Sequence, residues 1–432
     1  MDAHLLLLFL SHVTTVEFYE RTSDSEQPTR TAVIRLAAEA VQTAASERKE
    51  FLREIEKRRD SASSKYGAAT SSYRLTTELL QGERPTTQHW AISQLYSDDD
   101  DDDAEFSAER NLLPWVAVAT PLSFQTSPSA AYLDAPGGQV FCFLPLPLET
   151  ESPTGLRVHV HGYFAVDSNR RHLKERTGEQ LQEAITDRDD LLWNEHLVAR
   201  LLPKALVNLV LYLARDVGDL AVRRDAIFTA IPQLDAVHHP WKPLASAFLD
   251  KLHRLPVFYS PVHGGQFLTA GEVFFDDAED ESPVTKLVRL LLRQVGTNLV
   301  SVPGFVLSQL GPTAARVTPP HVCVALRNSD GALSLTDEDR TVLLQYLTDS
   351  LEDMSHILGT RLLALADGSW IEFTGLSDDS FIYVDSPDHP RSLLPGLDHL
   401  FVRNDVVVIC RKIADTGMLL RMLRLLSVPL VA

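Results

Sequence analysis

Two adjacent arginines, Arg170 and Arg171, lie in the stretch Asp167-Ser168-Asn169-Arg170-Arg171-His172-Leu173-Lys174. A guanidinium stays charged in any protein environment and can grip the oxygens of a phosphate or a carboxylate through two parallel hydrogen bonds. The pair could bind nearby carboxylates or help to cap the chain. Ahead of it, Asp167, Ser168 and Asn169 are residue types that accept the free amides of a first helical turn, and we expect a helix to begin there.

Other constellations carry less. His159 and His161 are two apart in an apolar run, so on a strand they share one face, and with His238 and His239 they could hold a metal. Nothing in the sequence brings the pairs together, and structural histidines are the expected reading, with no metal site. Serine, histidine and aspartate are all present, but no GxSxG elbow positions a nucleophile. His263-Gly264-Gly265 reads as a hairpin turn. Asp98 to Asp103 is an unbroken aspartate run. It could attract calcium or a basic partner, yet it lacks the glycine and spaced ligands of a calcium loop. Like charges in a block repel, so we read a disordered acidic loop near 97–108.

The chain that must position these groups has 432 residues, 44% of them hydrophobic, enough for more than one core. Its net charge of −19 opposes non-specific nucleic-acid binding, which needs a basic face. Cys142, Cys323 and Cys410 are widely spaced and odd in number, which argues against a disulfide framework and for a reducing compartment. The Leu5–Leu10 run is too short for a secretory signal, follows Asp2 and leads into alternating Val13, Val16 and Phe18. We expect a buried strand there. No stretch reads as the roughly 20 apolar residues that span a bilayer, and no membrane partner is expected.

Further along, Thr31 to Arg59 reads as a long exposed helix, broken by Ser61 to Gly67. Strands are expected at Ser72–Leu80, Leu113–Thr120 and Val140–Pro145 and, with residues 5–19 and 156–166, build a mostly antiparallel sheet. Asp190 to Arg215 is the strongest helix, kinked or restarted at Pro203. The His238-His239-Pro240-Trp241-Lys242-Pro243 stretch marks an expected boundary. The fold class is α+β: a domain over residues 1–237, then a second α+β domain over 238–432. In the second, helices at Leu244–Leu255, Pro283–Val295 and Leu335–Leu351 alternate with short strands, and Pro319-Pro320 marks a break.

Residues 139–176 carry the most specific signal. Phe141-Cys142-Phe143-Leu144-Pro145-Leu146-Pro147, then Gly155-Leu156, then Gly162-Tyr163-Phe164-Ala165-Val166-Asp167-Ser168-Asn169-Arg170-Arg171 closely resemble the phenylalanine-rich strand and following block of the repeats of the sacsin family. Leu5–Glu20, Pro256–Phe275 and Leu362–Phe373, with its Leu365-Ala366-Asp367-Gly368-Ser369-Trp370 core, resemble further blocks of the repeat in the same order. The likeness spans most of the chain and is weakest over residues 20–110.

The resemblance implies a piece of a very large cytoplasmic chaperone-related protein with a chaperone-like middle domain. Such repeats begin with an ATPase domain of the type found in the ninety-kilodalton heat-shock chaperone, which needs an ExxxN helix and a DxGxG turn. Here Asp190–Asn194 gives DxxxN, and Asp216-Val217-Gly218-Asp219-Leu220 lacks the second glycine. We therefore expect no catalytic residue, no cofactor and no enzyme activity in this chain. In the heat-shock chaperone an arginine before a long helix meets the nucleotide's terminal phosphate, which implies that role for Arg170 and Arg171 on an upstream domain. The implied function is a chaperone or co-chaperone module for client proteins and Hsp70-type machinery, with cytoskeletal filaments as further partners by resemblance alone. The alternative is a passive interaction scaffold without an ATPase cycle.

Overall fold

The computed structural model describes residues 2–21, 27–60, 68–82, 84–97, 112–122, 137–147, 154–174, 185–216, 218–329, 335–374, 382–383, 385 and 391–410. The aspartate run at 98–103 falls outside them. Contacts divide the chain into two compact units, one of Met1–Tyr259 with Phe267–Gly271 and Val302–Ala314, the other of Ser260–Gln266, Glu272–Ser301 and Ala315–Ala432.

The first unit is built on one sheet. Strands β1 (Thr15–Glu20), β2 (Thr29–Leu36), β3 (Ala69–Gln81), β4 (Arg84–Tyr96), β5 (Trp115–Leu122), β6 (Val140–Cys142), β7 (Leu144–Pro145) and β8 (His159–Gly162) run in the order β1-β2-β3-β4-β5-β8-β6-β7. Every pairing is antiparallel except that of β6 with β8. With the helices below, this is the α+β class that the sequence pattern implied.

Three elements differ from expectation. The leucine run is no strand: Ala3–Leu7 forms a 3-10 helix, opened by Asp2, whose carboxylate accepts the His4 amide at 3.0 Å. Leu5, Leu6, Leu7, Leu8 and Phe9 are all buried. A strand alternates its faces and would bury them all only if covered on both sides, whereas a tight helical turn packs them into one core. The helix expected from Thr31 starts later, at Ala38, because Val33 and Ile34 are β-branched and pair through β2 with β3. Helix α1 (Ala38–Asp60) then packs on β3. Strand β4 was not foreseen, since Pro85, Gln88 and His89 blur its pattern, yet Trp90, Ala91 and Ile92 are fully buried in succession.

Behind the sheet, α2 (Ile185–His196), a π-helical turn (Leu197–Leu201) and α3 (Leu202–Asp216) make one continuous run. Pro203 cannot donate an amide, and its ring would press on the carbonyl of Ala199 in a regular helix. The widened π turn just before it absorbs that conflict, so the chain neither breaks nor restarts. Arg188–Arg215 is, by length and composition, apolar enough to cross a membrane, with a mean hydropathy of 1.7 over its most apolar window. The expectation that no such stretch exists is thus corrected. In the structure 61% of that window is buried within the protein, and α3 packs on β4 and β5.

Helices α4 (Leu220–Ala230) and α5 (Lys242–Leu252) pack against α3. Gly155 matters to this unit: its φ is +70°, and a Cβ there would lie 1.9 Å from the Ala236 carbonyl oxygen. Gly155→Ala is expected to cost about 3 kcal/mol in denaturant unfolding, adding overlap to left-handed strain. Gly82, φ +74° but with nothing within 4 Å of its would-be Cβ, is the control. Gly82→Ala should cost about 1 kcal/mol, and equal losses at the two sites would refute the steric argument.

The second unit contains α6 (Pro283–Gln294); α7 (Gly304–Leu310) returns to the first unit, and α8 (Pro319–Asn328) and α9 (Asp337–Ser350) complete the second. Pro319 and Pro320 begin α8 rather than break the chain, because proline fits a first turn whose amides have no helical partner. A core of Leu287, Leu291, Val322, Leu343, Leu347, Phe373 and Val402 joins α6, α8 and α9 to the later loops. The Asp367-Gly368-Ser369 turn closes a hairpin that presents Trp370. Its indole donates to Asp337 at 2.7 Å, and the Arg340 and Arg403 guanidiniums lie 5.4 and 4.9 Å from its ring centre.

Candidate functional site

The arginine loop is held at both ends. After β8 the chain passes Tyr163, Phe164 and Ala165, and α2 grips it there. Trp193 donates its indole N–H to the Tyr163 carbonyl at 2.8 Å. Asn194, 5% exposed, accepts the Ala165 amide at 2.8 Å and donates to the Ala165 and Lys174 carbonyls at 2.7 and 3.0 Å. Lys174 and Asp190 complete the clamp as an ion pair at 2.7 Å. Asp190 and Asn194, the two ends of the DxxxN pattern, are therefore the fastening of this loop. Asp219 of the DxGxG-like segment caps α4, accepting from Ala221 and Val222, with Gly218 at φ +45°.

Between those fastenings no helix begins, contrary to the N-cap expectation. Val166 and Leu173 form an isolated bridge, and the Asp167 amide donates to the His172 carbonyl at 3.0 Å, so the chain doubles back. The Asp167 carboxylate accepts the amides of Arg171 and His172 at 2.7 and 3.3 Å. These bonds, the Arg171 amide foremost, hold its pKa below the usual carboxylate range. Asp167 thus does the work of an N-cap within a tight loop, a pattern that the sequence cannot distinguish from a helix start.

Arg170 and Arg171 stand at the tip of this loop and are exposed. Neither guanidinium has a hydrogen bond or ion pair among the described residues. Arg170 adopts φ +55°, in the left-handed region that side chains other than glycine's seldom occupy. Phe143, at φ +69°, is the turn between β6 and β7, and beside it Leu144 is 53% exposed. The two strained turns are linked through Cys142: burial raises its thiol's pKa, the nearby Arg170 charge opposes the rise, and its Sγ points to the Phe164 carbonyl at 3.9 Å.

Next to the loop, a pocket of about 260 Å³ is lined by Leu173, Lys174, Leu191, Val198, His239 and Pro240 among others. Val198 belongs to the π turn, which was not legible in the sequence except as a consequence of Pro203.

The histidines do not converge. His159 and His161 are fully buried, with His161 stacked on Phe9 at 5.1 Å and His159 edge-on to Trp90 at 5.4 Å. Their Nδ1 atoms accept backbone amides, Gln139 at 3.1 Å and Phe143 at 3.3 Å. His238 and His239 are exposed. Among the described residues no group of three or more histidine, cysteine or acidic side chains could hold a metal ion.

No protein-family model and no solved structure matches the chain. Among curated proteins it is similar to Sacsin of Homo sapiens, 28% identical over 429 residues, which covers 94% of this chain and 9% of that protein. The chain is therefore a sacsin-like region spanning a small part of the relative's length.

Proposed function

We propose that this sacsin-like region is a non-catalytic chaperone or co-chaperone module of the cytoplasm, and that Arg170 and Arg171 couple it to nucleotide held by a neighbouring ATPase domain. One observation carries the coupling: two guanidiniums without a partner among the described residues project from a loop that Asn194, Trp193 and Asp190 fix at both ends. A loop braced at both ends has less backbone entropy to lose when its arginines meet a phosphate. Arginine is the residue that can make two hydrogen bonds to a phosphoryl group while neutralising its charge. In this reading the chain supplies no active site of its own. Its clients and Hsp70-type partners bind other surfaces, and the similarity to Sacsin is what favours that class of partner.

The test uses this chain joined to an upstream ATPase domain. Arg170→Ala with Arg171→Ala is expected to lower stimulated turnover by roughly ten- to a hundredfold while leaving the unfolding midpoint unchanged, because both side chains are exposed. Unchanged turnover would refute the coupling. Suppression of client aggregation at substoichiometric amounts supports the chaperone reading. Stable binding of one defined partner with no such suppression would replace it with a passive scaffold.

A further inference from the structure

The second unit holds two arginines beside the Trp370 indole that no acid neutralises among the described residues. Arg340, near the start of α9, lies over the ring. It donates from Nη1 to the Arg361 carbonyl at 3.1 Å, with a longer contact from Nε to the Leu335 carbonyl at 3.5 Å. Arg361 donates from Nε to the Trp370 carbonyl at 2.8 Å. Both side chains are thus fastened by backbone oxygens, while Nη2 of Arg340 and both Nη groups of Arg361 have no acceptor among the described residues. The acids close by are engaged elsewhere. Asp337 accepts the Trp370 indole at 2.7 Å and Arg403 at 2.8 Å, and Asp405 accepts Arg403 at 2.7 Å.

Two guanidiniums held side by side repel each other. The pKa of Arg340 is lowered by burial and then by the charge of Arg361, whose effect exceeds the opposing one of Asp337. The spot is therefore locally positive in a chain of net charge −19. Keeping such a pair costs stability, and an anion bridging the two forks offsets that cost. A phosphoryl group suits the place: it is compact, carries about two negative charges at neutral pH and offers oxygens enough for both forks, whereas one carboxylate is filled by a single fork. The carboxylates of Asp337 and Asp405 repel an extended polyanion such as a nucleic acid, and they favour basic residues on either side of the phosphoryl group.

We propose that Arg340 and Arg361 form a binding site for a phosphorylated side chain presented in a basic segment of a partner polypeptide. Trp370 and the backbone carbonyls set the two forks before the ligand arrives, which lowers the entropy lost on binding. The site is separate from the arginine loop of the first unit and does not depend on the role given to that loop.

The test titrates the full chain into a fluorescently labelled peptide with one phosphoserine among lysines and follows its anisotropy. The phosphopeptide is expected to bind at least about tenfold more tightly than its unphosphorylated twin. Arg361→Gln should weaken it by about tenfold, with the unfolding midpoint unchanged because Arg361 is exposed. Arg361→Lys should recover only part of the loss, since an ammonium lacks the planar fork. Arg170→Ala with Arg171→Ala should leave the affinity as it is. In the wild type, the phosphopeptide should slow hydrogen exchange over 335–345 and 361–373, a readout that needs no variant to fold. Equal affinity for the twin, unchanged affinity in Arg361→Gln, or protection at 167–173 in place of these stretches would overturn the proposal. Inorganic phosphate that competes as tightly as the phosphopeptide would make free phosphate the ligand and overturn the polypeptide partner.

Discussion

Lowering the pH from 6.5 to about 4.5 is expected to cost the first unit roughly 2 to 3 kcal/mol for each of two histidines. His159 and His161 are held near a pKa of about 4 by burial, against an ordinary 6.5. Each Nδ1 accepts a backbone amide and so must be unprotonated, and each Nε2 has no partner among the described residues. Between the two pKa values only the unfolded chain takes up these protons. Stability is therefore complete above 6.5 and is drained as the pH falls towards 4. His4 and His89, also lowered by partial burial, act in the same direction. Carboxylates whose pKa is lowered, such as Asp167, Asp337 and Asp367, lose their contribution as the pH falls through and below the ordinary carboxylate range, so the upper part of this window is dominated by the histidines. Urea unfolding followed by tryptophan fluorescence across this range should show the loss. His159→Asn with His161→Asn keeps an acceptor near each Nδ1 position and should flatten the slope to the residue left by His4 and His89. A wild-type stability that stays level from pH 6.5 to 4.5 would remove the argument.

How far the sequence foretold this structure depends on whether a feature is local. The alternation in Ser72–Leu80 and the periodicity of Asp190–Arg215 are local signals, and both elements formed close to the expected bounds. The leucine run failed because its conformation is decided by partners elsewhere in the chain, above all by Arg48 on α1. Strand β4 was hidden for a related reason: it is covered on both faces, and burial of both faces erases the period of two that marks a half-exposed strand. At the candidate site, the arginines were legible by type and position, but their bracing was not. Asn194 sits 29 residues from Ala165, and only the fold joins them. The Asp167-Ser168-Asn169 triplet was read for the right chemistry, carboxylate acceptance of free amides, in the wrong element. A tight loop presents the same free amides as a helix start.

Arg48→Ala is expected to destabilise the first unit by about 4 kcal/mol. Arg48 is 5% exposed and has no carboxylate partner among the described residues. Its guanidinium donates to the Leu7 and Leu8 carbonyls at 3.2 and 3.0 Å, and to the Tyr73 hydroxyl at 3.0 Å. Those carbonyls close the 3-10 helix, whose C-terminal end carries partial negative charge, so a buried cation there is compensated by dipoles instead of by an acid. Truncation would strand two buried carbonyls and a phenol together, and each loses its partner in a place water cannot reach. Arg48→Lys should recover only part of the loss, since one ammonium cannot span all three acceptors with the arginine's fixed fork. Arg53→Ala, on the same helix but exposed and 3.6 Å from Glu50, should change stability by less than about 0.5 kcal/mol. Denaturant midpoints for the three variants decide the matter, and an Arg48→Ala loss under about 1 kcal/mol would show that the clamp does not hold the leucine turn. The expected ranking follows from one geometric fact: a strand through Leu5–Leu8 would hand its carbonyls to neighbouring strands, whereas a helical turn leaves its last carbonyls open, and Arg48 is the donor that makes the turn tolerable inside the core.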